Sequence, residues 1–301
     1  MEARVNMSNQ QFFVERYKQL GQEWKDVEDK IALRVNTLKI SQEDLLKRLE
    51  LIGANVQKIP FAKEGYWVKK SKFSLGAITE FLLGYYYLQE AASQIPVQIL
   101  APKEGEVVLD CCAAPGGKTT QIAQYMNNGG QIIALESKNH RMQSLKSSLE
   151  RIGVENCVAY LMDAKKMSSL RIQFDKILLD APCSGNYVTD RRWFEKRNIK
   201  GMQENAKVQR ELLKEAVKSL KIGGVLVYST CSLEPEENEL NMDWALKNLP
   251  IELQKTELQI GDEGLTEVFG QKLNEEIKKC RRFWPWKTRT EGFFIAKMVK
   301  K

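Results

Sequence analysis

The chain has 301 residues, 43% of them hydrophobic, and a formal net charge of +7, enough for one full α/β core with a smaller unit beside it. No apolar stretch approaches the roughly 18 residues that cross a bilayer, and residues 1–11 lack the charged-then-apolar form of a signal peptide, so a cytoplasmic protein with no membrane partner is expected. Six cysteines without dense spacing or a Cys-x-x-Cys pair argue for reduced thiols, and a single histidine, His140, excludes a histidine metal cluster and reads as a surface residue at a helix start; no metal is expected.

In chain order, Lys30 to Lys39 reads as a strand, and Ser41 as the N-cap of a helix through Leu45, Leu46 and Leu49 that Gly53 stops. Extended pieces follow at Asn55 to Ile59 and Gly65 to Val68. The run Leu82 to Leu88 reads as core or interdomain packing. These elements make a small α+β domain, residues 1–98, ahead of a larger one, residues 99–301. In the larger domain the pattern alternates, with strands at Glu106 to Asp110, Gln131 to Glu136, Cys157 to Asp163, Phe174 to Asp180 and Gly224 to Ser229. Helices at Met142 to Ile152 and Gln203 to Leu220 lie between them. Such alternation implies a mostly parallel, Rossmann-like α/β sheet covered on both faces. Arg282 to Trp284 and Phe293 to Met298 are expected to close it as an antiparallel pair.

The motifs gather at the carboxyl ends of these strands, where open α/β sheets bind ligands. The first strand runs into Asp110-Cys-Cys-Ala-Ala-Pro-Gly-Gly-Lys-Thr119. Its small residues permit close backbone approach, and the following helix offers free amides. Gly117-Lys118-Thr119 imitates the end of a P-loop, but the glycine that motif needs five residues earlier is Cys112, and the segment does not match Gly-x-Gly-x-x-Gly. Glu136 ends the second strand, placed to accept from both hydroxyls of a ribose, and Asp163 ends the third, within reach of an adenine amine. With Asp180 they fit an adenosyl ligand, and S-adenosylmethionine is the natural candidate. Beside Asp180 two cysteines follow two apolar strands, in Asp180-Ala-Pro-Cys183-Ser-Gly185 and Ser229-Thr-Cys231-Ser232. A thiol next to a carboxylate suits attack on an electron-poor ring.

Positive charge is gathered into two segments: residues 187–223 carry ten basic and five acidic side chains, and residues 271–301 carry ten and three. Arg191, Arg192, Lys196 and Arg197 surround Trp193 and Phe194, while Arg281, Arg282, Lys287 and Arg289 surround Phe283, Trp284 and Trp286. Cations with interleaved rings read as a single-stranded nucleic-acid surface, against the plainer reading of a solvated face with core aromatics.

The Asp110–Thr119 turn, the Asp180-Ala-Pro-Cys-Ser-Gly185 segment, Tyr228-Ser-Thr-Cys-Ser232 with Glu236-Glu237-Asn238 behind it, and Glu291-Gly-Phe-Phe-Ile-Ala-Lys297 resemble the Sun-type (Fmu-type) RNA cytosine-5 methyltransferases. Leu33-Arg-Val-Asn-Thr-Leu-Lys39 is also similar to theirs, and the compact N-terminal unit looks most like the archaeal tRNA branch. The resemblance implies a methyltransferase that modifies RNA, with tRNA the expected class and an RNA-binding role for the N-terminal domain. It implies that Cys112, Ala113, Ala114, Pro115, Gly116, Gly117 and Lys118, with Glu136, Arg141, Asp163 and Asp180, bind S-adenosylmethionine. It makes Cys231 the nucleophile and Cys183 the thiol that assists product release. Where many members carry Pro-His, this chain has Pro285-Trp286, so no histidine role carries over.

Elementary chemistry runs the same way. Carbon 5 of cytosine is too weak a nucleophile to take a methyl group unaided, whereas a thiolate adding at carbon 6 turns it into an enamine carbon. Asp180 is placed to hold the exocyclic amine and ring nitrogen, and Lys118 to orient the base. The same reaction on ribosomal RNA, or a non-catalytic RNA-binding or ribosome-assembly factor, are the alternative readings.

Overall fold

The computed structural model describes residues 8–301. Ser8 caps the first helix, α1 (Asn9–Gln19): its hydroxyl accepts from the Gln11 N–H, and its own N–H donates to Gln11 Oε1, a reciprocal capping box. The helix buries Phe13 and Tyr17 among Trp193, Trp284 and the rest of the main core. Although first in the chain, it packs on the large domain.

The small unit is a four-stranded antiparallel sheet in the order β2-β3-β1-β4, built from β1 (Ala32–Val35), β2 (Asn55–Lys58), β3 (Gly65–Lys70) and β4 (Tyr86–Leu88). α2 (Gln42–Leu51), capped by Ser41, lays Leu45 and Leu49 on Leu33, Val35 and Tyr86, and the short α3 (Thr79–Leu82) precedes β4. The strand expected from Lys30 to Lys39 is only four residues long. Asn36 is fully buried and turns the chain, its amide donating to the carbonyls of Gly84 and Ile152, both at 2.8 Å. A side chain that satisfies backbone groups in this way competes with the sheet ladder.

Gly84 and Arg34 weld this unit to the large domain. Gly84 has φ +74°, and a Cβ there would lie 1.8 Å from the Arg151 carbonyl oxygen. Within the Leu82–Leu88 run, Gly84 and Tyr87 meet the large domain and Tyr86 fills the small unit's core, while Leu82 and Leu83 are exposed. Arg34 projects from β1, wholly buried, and donates to Gly117 O at 2.6 Å, Thr120 Oγ1 at 2.9 Å and Gln124 Oε1 at 3.2 Å.

α4 (Ile95–Leu100) spans the expected boundary at residues 98 and 99 and buries Ile95, Val97 and Leu100 against the central sheet. Next come β5 (Val107–Asp110), α5 (Gly117–Tyr125), β6 (Gln131–Glu136), α6 (Asn139–Ile152), β7 (Cys157–Leu161) and β8 (Phe174–Asp180). They are followed by α7 (Trp193–Lys196), α8 (Ile199–Ser219), β9 (Leu220–Thr230), α9 (Glu239–Asn248) and β10 (Ile251–Gln254). The short β11 (Asp262–Glu263), β12 (Glu267–Val268) and β13 (Gln271–Lys272) lead to β14 (Arg281–Phe283), α10 (Pro285–Thr288) and β15 (Phe293–Lys300). The nine-stranded sheet runs β11-β14-β15-β9-β8-β5-β6-β7, with β10 also paired to β15. Strands β5 to β9 are mutually parallel, while β10, β11, β14 and β15 are antiparallel additions. The sheet is thus mixed, and the expected closing pair is present with Arg282 opposite Phe294. From β5 the chain moves outward to β6 and β7, then returns to the other side for β8 and β9. The crevice between β5 and β8 is therefore a topological switch point, where such sheets bind ligands.

Candidate active site

β5 and β8 end side by side at Asp110 and Asp180. Asp110 is buried and accepts from Thr119 Oγ1 at 2.7 Å. Burial, only partly offset by that bond, pushes its carboxyl up to about 6. It props the turn from beneath. Within the turn the Ala113 N–H donates to Leu135 O on β6 at 2.9 Å. Gly116 has φ +109°, and a Cβ there would strike Ser148 of α6 at 2.8 Å, so glycine lets α5 begin at that point.

Two cavities flank the turn. The larger, about 470 Å³, has Cys112, Ala114, Glu136, Arg141, Asp163 and Asp180 in its wall, together with Cys183 and Cys231. Glu136 is buried, accepts from the Lys138 N–H at 2.8 Å and faces Arg141 at 3.4 Å; Asp163 is exposed at the rim and caps the turn after β7. The smaller, about 200 Å³, lies towards the N-terminal unit and is lined by Ala113, Pro115, Gly117 and Lys118, with Gln89 and Glu90 opposite. Gly116 lines neither. The residues expected to hold an adenosyl ligand are thus distributed over both faces of the turn, with Asp180 common to both cavities.

Asp180 is the junction. Lys118 Nζ donates to its Oδ2 at 2.8 Å, and Ser229 Oγ to its Oδ1 at 2.7 Å. Burial works against a charged Lys118, but the adjacent Asp180 overcomes it and holds the ammonium above its usual range. Asp180 pairs in register with Ser229, so the loops leaving β8 and β9 run together and bring Cys183 Sγ to 3.3 Å from Cys231 Sγ. The Cys183 contact, burial and the nearby acids Glu291 and Asp180 all push the Cys231 thiol up, which keeps it protonated at rest.

The loops are held by groups that the motifs barely signal. Glu237 accepts from the Ser184 N–H at 3.0 Å, Asn205 Nδ2 at 2.9 Å and Gln209 Nε2 at 3.2 Å. Gln209 Nε2 also donates to Pro182 O at 2.9 Å, and Asn186 Nδ2 to Cys231 O at 2.9 Å. The available signal was Gln209 itself, a polar residue at an apolar position of α8 between Met202, Ala206, Leu212 and Leu213.

The two basic segments are only partly available as the expected nucleic-acid surface: Arg191, Arg192, Lys196, Arg197, Lys287 and Arg289 are exposed, whereas their central rings are not. Trp193, Phe283, Trp284 and Arg282 are all buried. Arg282 donates to Glu239 Oε1 at 2.7 Å and to Leu233 O at 2.6 Å. Arg191, Arg192 and Lys196 pair with Asp26, Glu195 and Asp190. Arg282 is thus spent within the fold and the buried rings are core, while the three exposed ion pairs lie at the surface. The described residues contain no cluster of three histidine, cysteine or acidic side chains suited to a metal, and all six cysteines are free. Among the described residues no helix is long and apolar enough to cross a membrane.

Residues 97–299 match the family model of the 16S rRNA methyltransferase RsmB/F, and residues 8–91 match that of the N-terminal domain of 16S rRNA methyltransferase RsmF. The chain belongs to the RsmB/F methyltransferase family. Among its relatives, the 28S rRNA (cytosine-C(5))-methyltransferase of Mus musculus is 41% identical over 92% of this chain and 36% of that protein. The tRNA (cytosine(49)-C(5))-methyltransferase of Pyrococcus abyssi is 39% identical over 89% of this chain and 88% of its own length. A methyltransferase homolog from Pyrococcus horikoshii superposes with a TM-score of 0.87 at 42% identity, covering 97% of this chain and 95% of that one. The chain thus spans about a third of the length of the mouse RsmB/F relative. RsmB/F proteins are S-adenosylmethionine-dependent, and the larger cavity suits that ligand: a buried carboxylate at Glu136 for hydroxyls, small residues at the turn and an apolar Met162 at the far wall.

Proposed function

We propose that the protein methylates carbon 5 of cytosine in RNA through a covalent thiol adduct. The observation that carries this reading is the pair of thiols 3.3 Å apart beside the Lys118–Asp180 ion pair, since a lone fold of this class needs neither. Cys112, Ala114, Glu136, Arg141, Asp163 and Asp180 would hold S-adenosylmethionine along the larger cavity, with Ala113, Pro115, Gly116, Gly117 and Lys118 shaping the turn. When bound, it supplies an electrophilic methyl group.

The chain's own residues do the rest. Cys231 adds to carbon 6 as the thiolate, its proton passing by way of the neighbouring Asp180 to the ring nitrogen that gains charge, which makes carbon 5 nucleophilic. Asp180 accepts from the exocyclic amine, and the ammonium of Lys118 stabilises charge that moves onto the ring during addition. Once carbon 5 carries the methyl group its proton must leave before Cys231 can be expelled, and Cys183, already in contact with Cys231, assists that release. A cytoplasmic setting, where thiols stay reduced, suits this chemistry.

The RNA is read as tRNA because the match to the Pyrococcus abyssi enzyme runs over nearly the whole of both chains. Ribosomal RNA is the second reading, favoured by the identity to the mouse enzyme. The N-terminal unit would bear on the RNA. A groove of about 470 Å³ at its seam with the large domain is lined by Lys58, Lys63, Lys255 and Lys297, with Glu257 the one carboxylate. Lys297 lies four residues along β15 from Phe293, hence about 13 Å from the active edge. Incubation of the purified protein with labelled S-adenosylmethionine and either tRNA or ribosomal RNA, followed by identification of the modified nucleoside, tests the reading. 5-Methylcytidine in one pool names the substrate; label in neither pool refutes the proposal.

A further inference from the structure

The segment Glu291-Gly292-Phe293 enters β15 beside the active edge, and its first residue is buried against Glu90 from the N-terminal unit. Ser93 bridges the two carboxyl groups, its N–H directed at Glu90 and its hydroxyl at Glu291, and so holds them side by side. Glu90 is richly supplied with donors: the backbone N–H groups of Ala92, Ser93 (3.2 Å) and Glu291 (3.1 Å) all point at it. Glu291 receives the Ser93 hydroxyl at 2.8 Å. A buried carboxyl group held beside a second, half-buried one resists ionising with it, and the pair settles by sharing one proton. The distribution of donors puts the charge on Glu90 and the proton on Glu291.

We propose that Glu291 is a neutral carboxylic acid that donates its proton to Glu90 and thereby acts as a positioning residue for Lys118, Asp180 and Cys231. The role rests on the methyl-transfer reading above. Its route is short. Lys118 Nζ lies 5.6 Å from the centroid of the Phe293 ring, and Asn186 Nδ2 donates both to Gly292 O at 3.3 Å and to Cys231 O. Tying Glu291 to Glu90 thus fixes the strip of chain on which Lys118 rests and which shares Asn186 with the nucleophile's loop. The ionisable groups facing Glu291 are Glu90, Lys118, Asp180 and Cys231. Were Glu291 ionised, it would offer Lys118 a second carboxylate in competition with Asp180, and its charge would further oppose thiolate formation at Cys231. Burial and the Glu90 charge hold its carboxyl well above the ordinary range, against the opposing pull of Ser93 and Lys118.

The test compares the full-length protein with E291Q and E291A in two measurements. Isotope-edited infrared spectroscopy should show a protonated carboxylic acid at neutral pH that disappears in E291Q. In single-turnover methylation, E291A should lose about tenfold or more in rate with unchanged KM for S-adenosylmethionine, a loss of positioning. E291Q, whose amide still donates to Glu90, should recover most of that loss. As the pH rises the wild-type rate should fall once Glu291 gives up its proton, a limb that E291Q lacks. Equal impairment of folded E291Q and E291A, or no acid band at neutral pH, overturns the proposal. An acid band in a protein that methylates no RNA upholds the protonation state and counts against the function instead.

Discussion

At Cys231 the cost of forming a thiolate and the means of stabilising it meet in one residue. Its contact with Cys183 and its burial favour the thiol at rest, so attack must be coupled to arrival of the base rather than standing ready in advance. The two thiols therefore differ in consequence when removed. Cys231→Ala should form no adduct with RNA and methylate nothing. Cys183→Ala should still attack but release poorly, accumulating a protein–RNA adduct visible on denaturing electrophoresis. Reversal of the two outcomes would exchange the roles. Glu136 offers a separate check on the cofactor wall: Glu136→Ala should weaken S-adenosylmethionine binding by about 1.5 to 3 kcal/mol, the range for hydrogen bonds to a charged acceptor, measured by calorimetry.

Among the elements, β5 carries a pH signature of its own. Asp110 titrates at about 6 in the folded protein against an ordinary value near 3.9. A carboxyl group whose folded value is raised takes up protons on folding, so its contribution is fully present below about pH 4 and lost as the pH climbs through 6. The loss amounts to about 3 kcal/mol. Denaturant melts of Asp110→Asn should lack that component of the pH dependence, and an identical profile in the two proteins would dismiss it. α8 makes a different prediction. Gln209→Leu strips a donor from both Pro182 O and Glu237 and should cost about 1 to 3 kcal/mol of stability, while slowing adduct formation at Cys231 because the paired loops loosen. The strand ends, the turn and the thiols were legible because their side chains must leave apolar strands at one edge. What was not legible is who answers whom across the fold. Arg282 looks like a surface cation until Glu239, 43 residues away on a different element, is seen to hold it in the core. The same distance hides the docking of α1 on the large domain, since Phe13 and Tyr17 announce that they are buried without saying against what.

For the whole molecule, positive charge gathers in the groove of Lys58, Lys63, Lys255 and Lys297, which joins the end of the second basic segment to the N-terminal unit. If RNA backbone occupies it, replacing these four lysines with Ala should flatten the dependence of log affinity on log salt by about 0.7 per lost single-strand contact. Binding of S-adenosylmethionine should be unaffected. An unchanged slope in filter-binding titrations would place the RNA elsewhere.

Arg34 has a consequence for how the molecule holds together. Two family models divide the chain into 8–91 and 97–299, which invites the view of a detachable handle on a self-sufficient catalytic body. Yet the guanidinium of Arg34 is sealed inside, bonded to the first turn of α5, the helix that follows the glycine-rich turn after β5. Pulling the small unit away would lose these charge-assisted hydrogen bonds and open the seam around Gly84 and Arg34 to water, at a cost of about 1.5 to 3 kcal/mol for the guanidinium contacts alone. The two parts should therefore melt as one cooperative unit in calorimetry. Damage far out in the small sheet would reach the chemistry by lowering the common melting temperature, with no change in what binds where.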